Sequence, residues 1–155
     1  MPHAESCVKL LVCMRIHLLM LGKTRRPEMR AVFEDYAKRV SRHFPVEISE
    51  VRDAAAALKK LDASRASNAI LLDSSGKAMG SEALARWLGE QRDRGTRELL
   101  FLCGDASGFP EAVQQRAQQK LSLSAMTFSH ELARVMLAEQ LYRACAILSG
   151  SPYPK

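Results

Sequence analysis

The chain has 155 residues, 47% of them apolar, with 23 Lys and Arg against 17 Asp and Glu for a net charge of +6. That length suits one domain with a core that needs no staples, and the apolar share excludes a disordered chain. The positive balance favours an anionic partner such as nucleic acid, an acidic protein or a membrane surface. Four cysteines, Cys7, Cys13, Cys103 and Cys145, show no CxxC spacing. They argue against a zinc or disulfide framework and fit a reducing, cytoplasmic location.

The stretch from Cys7 to Leu21, CVKLLVCMRIHLLML, looks like an export segment only at first sight. Lys9, Arg15 and His17 interrupt it, no basic segment precedes it, and it is too short and too charged to span a membrane. The domain is expected to begin at Met14, with residues 1–13 an extension or a misassigned start.

Arg15–Leu21 then reads as a buried strand closed by Gly22, and Lys23, Thr24, Arg25 and Arg26 form a basic turn. Pro27 suits the first turn of a helix, and Val32, Phe33, Tyr36 and Val40 recur at helical spacing to about Ser41. Between Met14 and Pro45 there are eight Lys and Arg against three Asp and Glu. This basic stretch is either a solvated face or a phosphate-contacting patch, and the Lys23–Arg26 turn is its best RNA contact. Val46–Val51 is a second strand. Asp53 caps a helix through the alanine run to about Leu61, and residues 64–67 form a loop.

Asn68–Asp73, NAILLD, is a short apolar run of the kind found in buried parallel strands, with a turn expected at Ser74–Lys77. Ser81 is the expected N-cap of a helix carrying Leu84, Trp87 and Leu88 to about Arg94, where Gly95 ends it. Leu99–Cys103 is another buried strand, with the loop Gly104–Gly108 at its carboxyl end. Pro110 opens a further helix to about Gln119. Leu121–Phe128, LSLSAMTF, alternates weakly like a strand, but its small residues suit close approach to the backbone. Plain packing ahead of the helix from Ser129 to about Leu148 is the other reading.

This alternation predicts an α/β domain with a mostly parallel sheet and flanking helices. Ligands bind such sheets outside the carboxyl ends of the strands. Three loops therefore qualify: the one after Leu72–Asp73, the one after Cys103, and Leu121–Phe128. None carries a GxGxxG or Walker pattern, so neither a dinucleotide site nor a P-loop is expected.

The last third, LSLSAMTFSHELARVMLAEQLYRACAILSGSPYPK, resembles the C-terminal signature of the RlmH family. GKT at Gly22–Thr24, LLDSSGK at Leu71–Lys77, LCGDASGF around Gly104 and EQLYRA at Glu139–Ala144 match in order, over residues 14–155. That family comprises SPOUT-class methyltransferases acting on N3 of a pseudouridine in the 23S rRNA of the large ribosomal subunit. The resemblance implies a SPOUT-type C-terminal trefoil knot, S-adenosylmethionine as cofactor, and a homodimer acting on rRNA within the ribosome. It implies no metal and no membrane partner. Each site would be completed by the neighbouring subunit.

Carried over by motif, the cofactor-binding positions are Leu72, Gly104, Leu123, Ser124, Ala125, Met126, Thr127 and Phe128. His130, at a helix start, is the expected proton acceptor, or else caps or packs. Arg134, one turn on, would hold a phosphate or base edge, or else pair with Glu131 or Glu139. Tyr153 would position the target nucleotide by stacking. Two departures stand out. Gly104–Gly108 reads GDASG where relatives have a Gly-Gly-Pro-x-Gly-like loop, and the tail SPYPK lacks the two histidines of a His-Pro-Tyr-His-like end. The tail admits two alternatives: a different RNA target, or a catalytically weakened RNA- or ribosome-binding factor.

Overall fold

The computed structural model describes residues 13–64, 66 and 68–153. The readings made for residues 1–12, Cys7 among them, lie outside the described residues. Strands and helices alternate in the order β1 (Arg15–Leu21), α1 (Pro27–Val40), β2 (Val46–Val51), α2 (Ala54–Ala63) and β3 (Asn68–Ala78). They continue with α3 (Ser81–Asp93), β4 (Glu98–Cys103), α4 (Glu111–Gln114), β5 (Gln119–Ser122) and α5 (His130–Ser149).

The strands form one parallel sheet in the order β2-β1-β4-β3-β5. A parallel sheet needs cover on both faces, and the alternation of side chains supplies two apolar surfaces. Ile16, Leu18, Met20, Leu99 and Phe101 pack on one side with Phe33 of α1, Leu88 of α3 and Leu137 and Leu141 of α5. Leu19, Leu21, Leu100 and Leu102 face the other side, under Ala57 and Leu61 of α2 and Val113 of α4. Every residue of β4 is buried, as its central place requires. Burying each such side chain contributes about 1.5–3 kcal/mol before the entropy of ordering is subtracted.

Helix ends follow local chemistry. The Asp53 carboxylate accepts from the backbone N–H of Ala56 at 2.9 Å, as expected. Gly95 closes α3 at φ +78°, a conformation other residues rarely adopt.

Four expectations are corrected. The turn expected at Ser74–Lys77 is extended chain: β3 runs on to Ala78, and its pairing with β5 shifts register between Leu72 and Lys77. Both Leu72 and Lys77 align with Leu121, so the four intervening residues bulge out of the ladder. Ser81 is not the N-cap of α3; Gly80 is, and the Ser81 hydroxyl donates instead to the Gln140 side chain at 2.7 Å. The helix expected from Pro110 to Gln119 is a single turn, because Gln119–Ser122 is taken by the sheet as β5. The strand hinted at within Leu121–Phe128 therefore starts earlier and ends at Ser122.

Cys13, Cys103 and Cys145 are free thiols. Among the described residues, no helix is long and apolar enough to cross a membrane.

Candidate functional site

A cavity of about 530 Å³ opens at the carboxyl ends of β3 and β4 and along the loop after β5. The three walls are the three loops that the sheet rule singled out.

The first wall is the bulge after Leu72. Asp73 lines the cavity, and its Oδ1 accepts from the backbone N–H of Ser75 at 3.0 Å and from the Ser75 hydroxyl at 3.1 Å. Those bonds, the backbone one foremost, hold the Asp73 carboxyl below the usual carboxylate range. Burial opposes the shift, and Lys120 Nζ, 3.9 Å from Oδ2, reinforces it. Gly76 makes the bulge possible. A Cβ there would lie 2.7–2.9 Å from the backbone of Lys120 and Leu121, so only glycine lets β3 cross so close to β5.

The second wall is Gly104–Gly108. The backbone N–H of Gly108 donates to Asp105 O at 2.9 Å, and that of Ser107 donates to Asp105 Oδ1 at 2.9 Å. The carboxylate that sets this chain apart from its resemblance therefore braces its own turn. A Cβ on Gly104 would approach Gly108 Cα to 2.9 Å, so the turn closes only around a bare backbone.

The third wall is Leu123–Ser129. The Ser122 hydroxyl donates to Ser124 O at 2.8 Å, and Ser124 Oγ accepts from the backbone N–H of Met126 at 3.0 Å. These local bonds replace strand pairing, which ends at Ser122. Met126 is 73% exposed at the cavity mouth.

Of the expected cofactor positions, Leu72, Gly104, Leu123, Ser124, Met126, Thr127 and Phe128 all line the cavity; Ala125 does not. His130 also lines it. The N-cap of α5 is Ser129, whose Oγ accepts from Leu132 N at 3.3 Å, so the His130 ring is not consumed by capping.

Arg134 and Tyr153 do not line the cavity. Arg134 is buried, 1% exposed, and donates to Thr24 Oγ1 at 3.0 Å and to Leu21 O at 2.6 Å. Glu131 accepts from the backbone N–H of Arg26 at 3.0 Å, and Glu139 pairs with Arg143 at 2.7 Å. Neither carboxylate hydrogen-bonds Arg134, and the guanidinium holds the chain leaving β1. Tyr153 packs on Tyr142 with ring centroids 4.6 Å apart, and its hydroxyl lies 3.3 Å from Tyr36 Oη and from Glu139 Oε1. Tyr142 follows His130 by twelve residues, about 18 Å along a helix, so Tyr153 lies far from the cavity of the same chain.

Sequence reasoning missed Asp73 as a lining residue; the signal was an acid ending a buried apolar run at a strand's carboxyl end. It also missed a cluster at the opposite end of the sheet. There His17 Nδ1 lies 3.2 Å from Glu98 Oε1, and Nε2 lies 2.8 Å from Ser49 Oγ. No spacing rule pairs residues on three different strands.

The cavity's size is that of a small-molecule site. Its apolar walls and exposed backbone groups suit a heterocycle held by main-chain N–H and C=O groups, and the ionised Asp73 suits a cationic ligand. The tight Gly104 turn and the Gly76 crossing set the loops that wall this cavity, and the residues present fit S-adenosylmethionine.

Comparison with known proteins places the chain in a family. The family model described as "Predicted SPOUT methyltransferase" matches residues 14–154. "Ribosomal RNA large subunit methyltransferase H" of Geobacter sp. (strain M21) is 41% identical over 151 residues, covering 90% of this chain and 98% of the relative. The protein of the same name from Koribacter versatilis is 40% identical over 142 residues, covering 90% and 97%. Among solved structures, the SpoU methyltransferase AviRb from Streptomyces viridochromogenes in complex with AdoMet has a TM-score of 0.55 at 13% identity. It is matched over 84% of this chain and 58% of that one. The tRNA (m1G37) methyltransferase from Aquifex aeolicus has a TM-score of 0.58 at 14% identity, over 92% and 75%. Both likenesses are of fold.

Proposed function

Since this chain belongs to the SPOUT methyltransferase family, we propose that it methylates N3 of a pseudouridine in 23S rRNA of the large ribosomal subunit, using S-adenosylmethionine. The observation that carries this reading is the convergence of three carboxyl-end loops, with their motif residues, on one cavity. Bound there, the cofactor supplies an electrophilic methyl group and a sulfide leaving group.

The chain's own residues do the rest. Backbone groups of Leu72, Gly104, Leu123, Ser124, Met126, Thr127 and Phe128 would hold the cofactor, and the Asp73 carboxylate on the cavity wall would suit its positive charge. A fixed pose matters because the transfer needs donor and acceptor in line. His130, at the cavity wall, accepts the imide proton from N3 as the new N–C bond forms, which keeps the nucleobase neutral.

The reading extends to assembly. α5 carries apolar side chains beyond its buried side: Leu137 and Leu141 are buried within the subunit, while Val135 and Met136 are only half-covered and Ile147 is 41% exposed. A helix with apolar side chains on two sides asks for cover on both. That supports a homodimer built on α5, in which the Tyr153 tail of one subunit reaches the cavity of the other. The C-terminal trefoil knot belongs with the same reading, as does a cytoplasmic site of action on the assembled ribosome.

The test is direct. Calorimetry is expected to detect S-adenosylmethionine binding, and mass spectrometry of rRNA from a deletion strain is expected to lose the N3-methylpseudouridine. Binding without that loss moves the protein to a different RNA target. No binding leaves a catalytically weakened RNA- or ribosome-binding factor.

A further inference from the structure

The loop between β1 and α1 carries three exposed cations, Lys23, Arg25 and Arg26, around the buried Thr24. Its position is set by the sheet. β1 pairs with β4, and the register aligns Met20 with Cys103. The chain leaving Leu21 therefore stands one strand spacing, about 4.8 Å, from the Cys103–Gly104 wall of the cavity.

Three separate contacts fix the loop. From beneath, Arg134 of α5 holds Leu21 O and Thr24 Oγ1. From the side, Glu50 of β2 accepts from the backbone N–H of Thr24 at 3.3 Å and from Arg30, whose Nη2 also donates to Thr24 O at 3.0 Å. At the far end, Glu131 accepts from the backbone N–H of Arg26. Glu131 directly follows His130 of the cavity wall, so loop and cavity share the first turn of α5.

The charges are distributed unevenly. Among the described residues, Arg30 in the first turn of α1 is neutralised by Glu50 and Glu34, whereas the exposed Arg52 just past β2 forms no ion pair and adds to the positive charge at this end of the sheet. Among the described residues, no ion pair forms with Lys23, Arg25 or Arg26. Glu50 and Glu131 accept from backbone N–H groups of the loop, so they brace it without forming ion pairs with its cations. Unpaired cations elsewhere, such as Lys59 and Lys60 on α2, lack both the bracing and the nearness to the cavity. A braced cationic loop binds an anion without first being ordered, which lowers the entropic cost of binding.

We propose that the Gly22–Arg26 loop is the RNA-docking element of this site: Lys23, Arg25 and Arg26 take backbone phosphates beside the nucleotide presented to the cavity. The inference rests on the methyltransferase reading for the identity of the RNA. Phosphate contacts of this kind position a substrate and carry no sequence information. They register the strand, and the cavity selects the base.

The test measures binding of large ribosomal subunits to the full-length protein, loaded with S-adenosylmethionine, across a salt series. Each of K23A, R25A and R26A is expected to lower the steepness of log K against log salt by roughly 0.7–0.9. The triple variant is expected to raise KM for the subunit on the order of tenfold while S-adenosylmethionine affinity stays at the wild-type value. The doubly substituted K59A/K60A chain serves as the control and keeps the wild-type slope. A triple variant with the wild-type slope overturns the proposal. Wild-type protein that binds subunits but transfers no methyl group overturns the methyltransferase reading instead, and a slope loss in the variants then still supports the docking loop.

Discussion

Arg134 reaches from α5 to the end of β1, where Nη1 donates to Thr24 Oγ1 at 3.0 Å and Nη2 donates to the Leu21 carbonyl at 2.6 Å. One side chain thus ties the helix that carries His130 to the loop that carries Lys23, Arg25 and Arg26. Burial pulls the guanidinium's pKa below its ordinary value, with partial compensation from Cys103, Glu50 and Glu131.

Removing that tie is expected to be costly. Arg134→Met leaves the Leu21 carbonyl and the Thr24 hydroxyl buried without their donors, and each such group costs about 1–3 kcal/mol. Urea unfolding should register a loss of about 3 kcal/mol. Thr24→Val removes one acceptor at constant shape and leaves a buried charged donor without it, at a cost of about 1.5–3 kcal/mol. If Arg134 braces the loop, Thr24→Val raises KM for the ribosomal subunit while S-adenosylmethionine affinity is unchanged. A variant that loses cofactor affinity instead would show that Arg134 acts on the cavity itself.

Gly76→Ala tests the crossing of β3 over β5. Its Cβ would sit 2.7–2.9 Å from the backbone of Lys120 and Leu121, and backbone cannot rotate aside as a side chain can. The expected loss is about 1–3 kcal/mol, measured by thermal unfolding. Because Leu72–Asp73 and Leu123–Ser124 flank that crossing, cofactor affinity should fall with stability. Gly80→Ala, where a Cβ meets nothing within 4 Å, should cost less, through the loss of a favoured N-cap residue alone.

How far the sequence reveals this arrangement depends on the range of the interactions involved. β1 and β4 are legible because each is a short apolar run, β2 because Val46 and Ile48 alternate with polar residues, α1 and α3 because their apolar residues recur at helical spacing, and α2 from its Asp53 cap and alanine run. The bulge at residues 73–76 is not legible, since what extends Ser74–Lys77 is the backbone of Lys120 and Leu121, more than forty residues away. The cavity walls could be named from the carboxyl-end rule and the family motifs together. Arg134 shows where such reasoning stops. Four residues after His130, it falls near the same helix face, but its length lets it reach the free carbonyl at the end of β1. Tyr153 gave even less signal, because nothing in SPYPK announces that it folds back on Tyr142.

Asp73 gives a pH prediction. Its folded-state pKa lies below the ordinary 3.8, mainly through the backbone N–H of Ser75. The ionised carboxylate therefore contributes stability that is fully present above about pH 4 and is lost as pH falls through the depressed folded value. Compared with Asp73→Asn, the wild-type chain should be more stable at neutral pH, with the difference vanishing in acid. Urea midpoints taken across a pH series check this. A constant difference at all pH values would mean the Ser75 bonds do not depend on charge.

The thiols divide by burial. Desolvation pushes Cys103 and Cys145 up to about 12, so both stay neutral thiols at physiological pH. The thiolate is the nucleophile. Iodoacetamide at pH 8 should therefore modify the exposed Cys13 within minutes and spare Cys103 and Cys145 until the chain unfolds. Peptide mass spectrometry reads the outcome. Modification of Cys103 in the folded protein would mean that the cavity floor opens to solvent.

The tail supplies the sharpest test of assembly. Tyr153 is held against Tyr142, with Arg143 over its ring at 5.7 Å, far from the cavity lined by His130 of the same chain. If it serves catalysis, it does so in a second subunit. Tyr153→Ala and His130→Ala should each lose turnover while retaining S-adenosylmethionine binding. Mixing the two inactive variants and allowing subunits to exchange then creates heterodimers in which one site has both residues intact. Random exchange should restore about a quarter of the wild-type rate. No recovery in a mixture confirmed to contain heterodimers would assign Tyr153 to its own subunit, as a brace for Glu139 and Tyr36. In that case Tyr153→Phe, which keeps the ring and loses the hydroxyl bonds, should reproduce most of the defect.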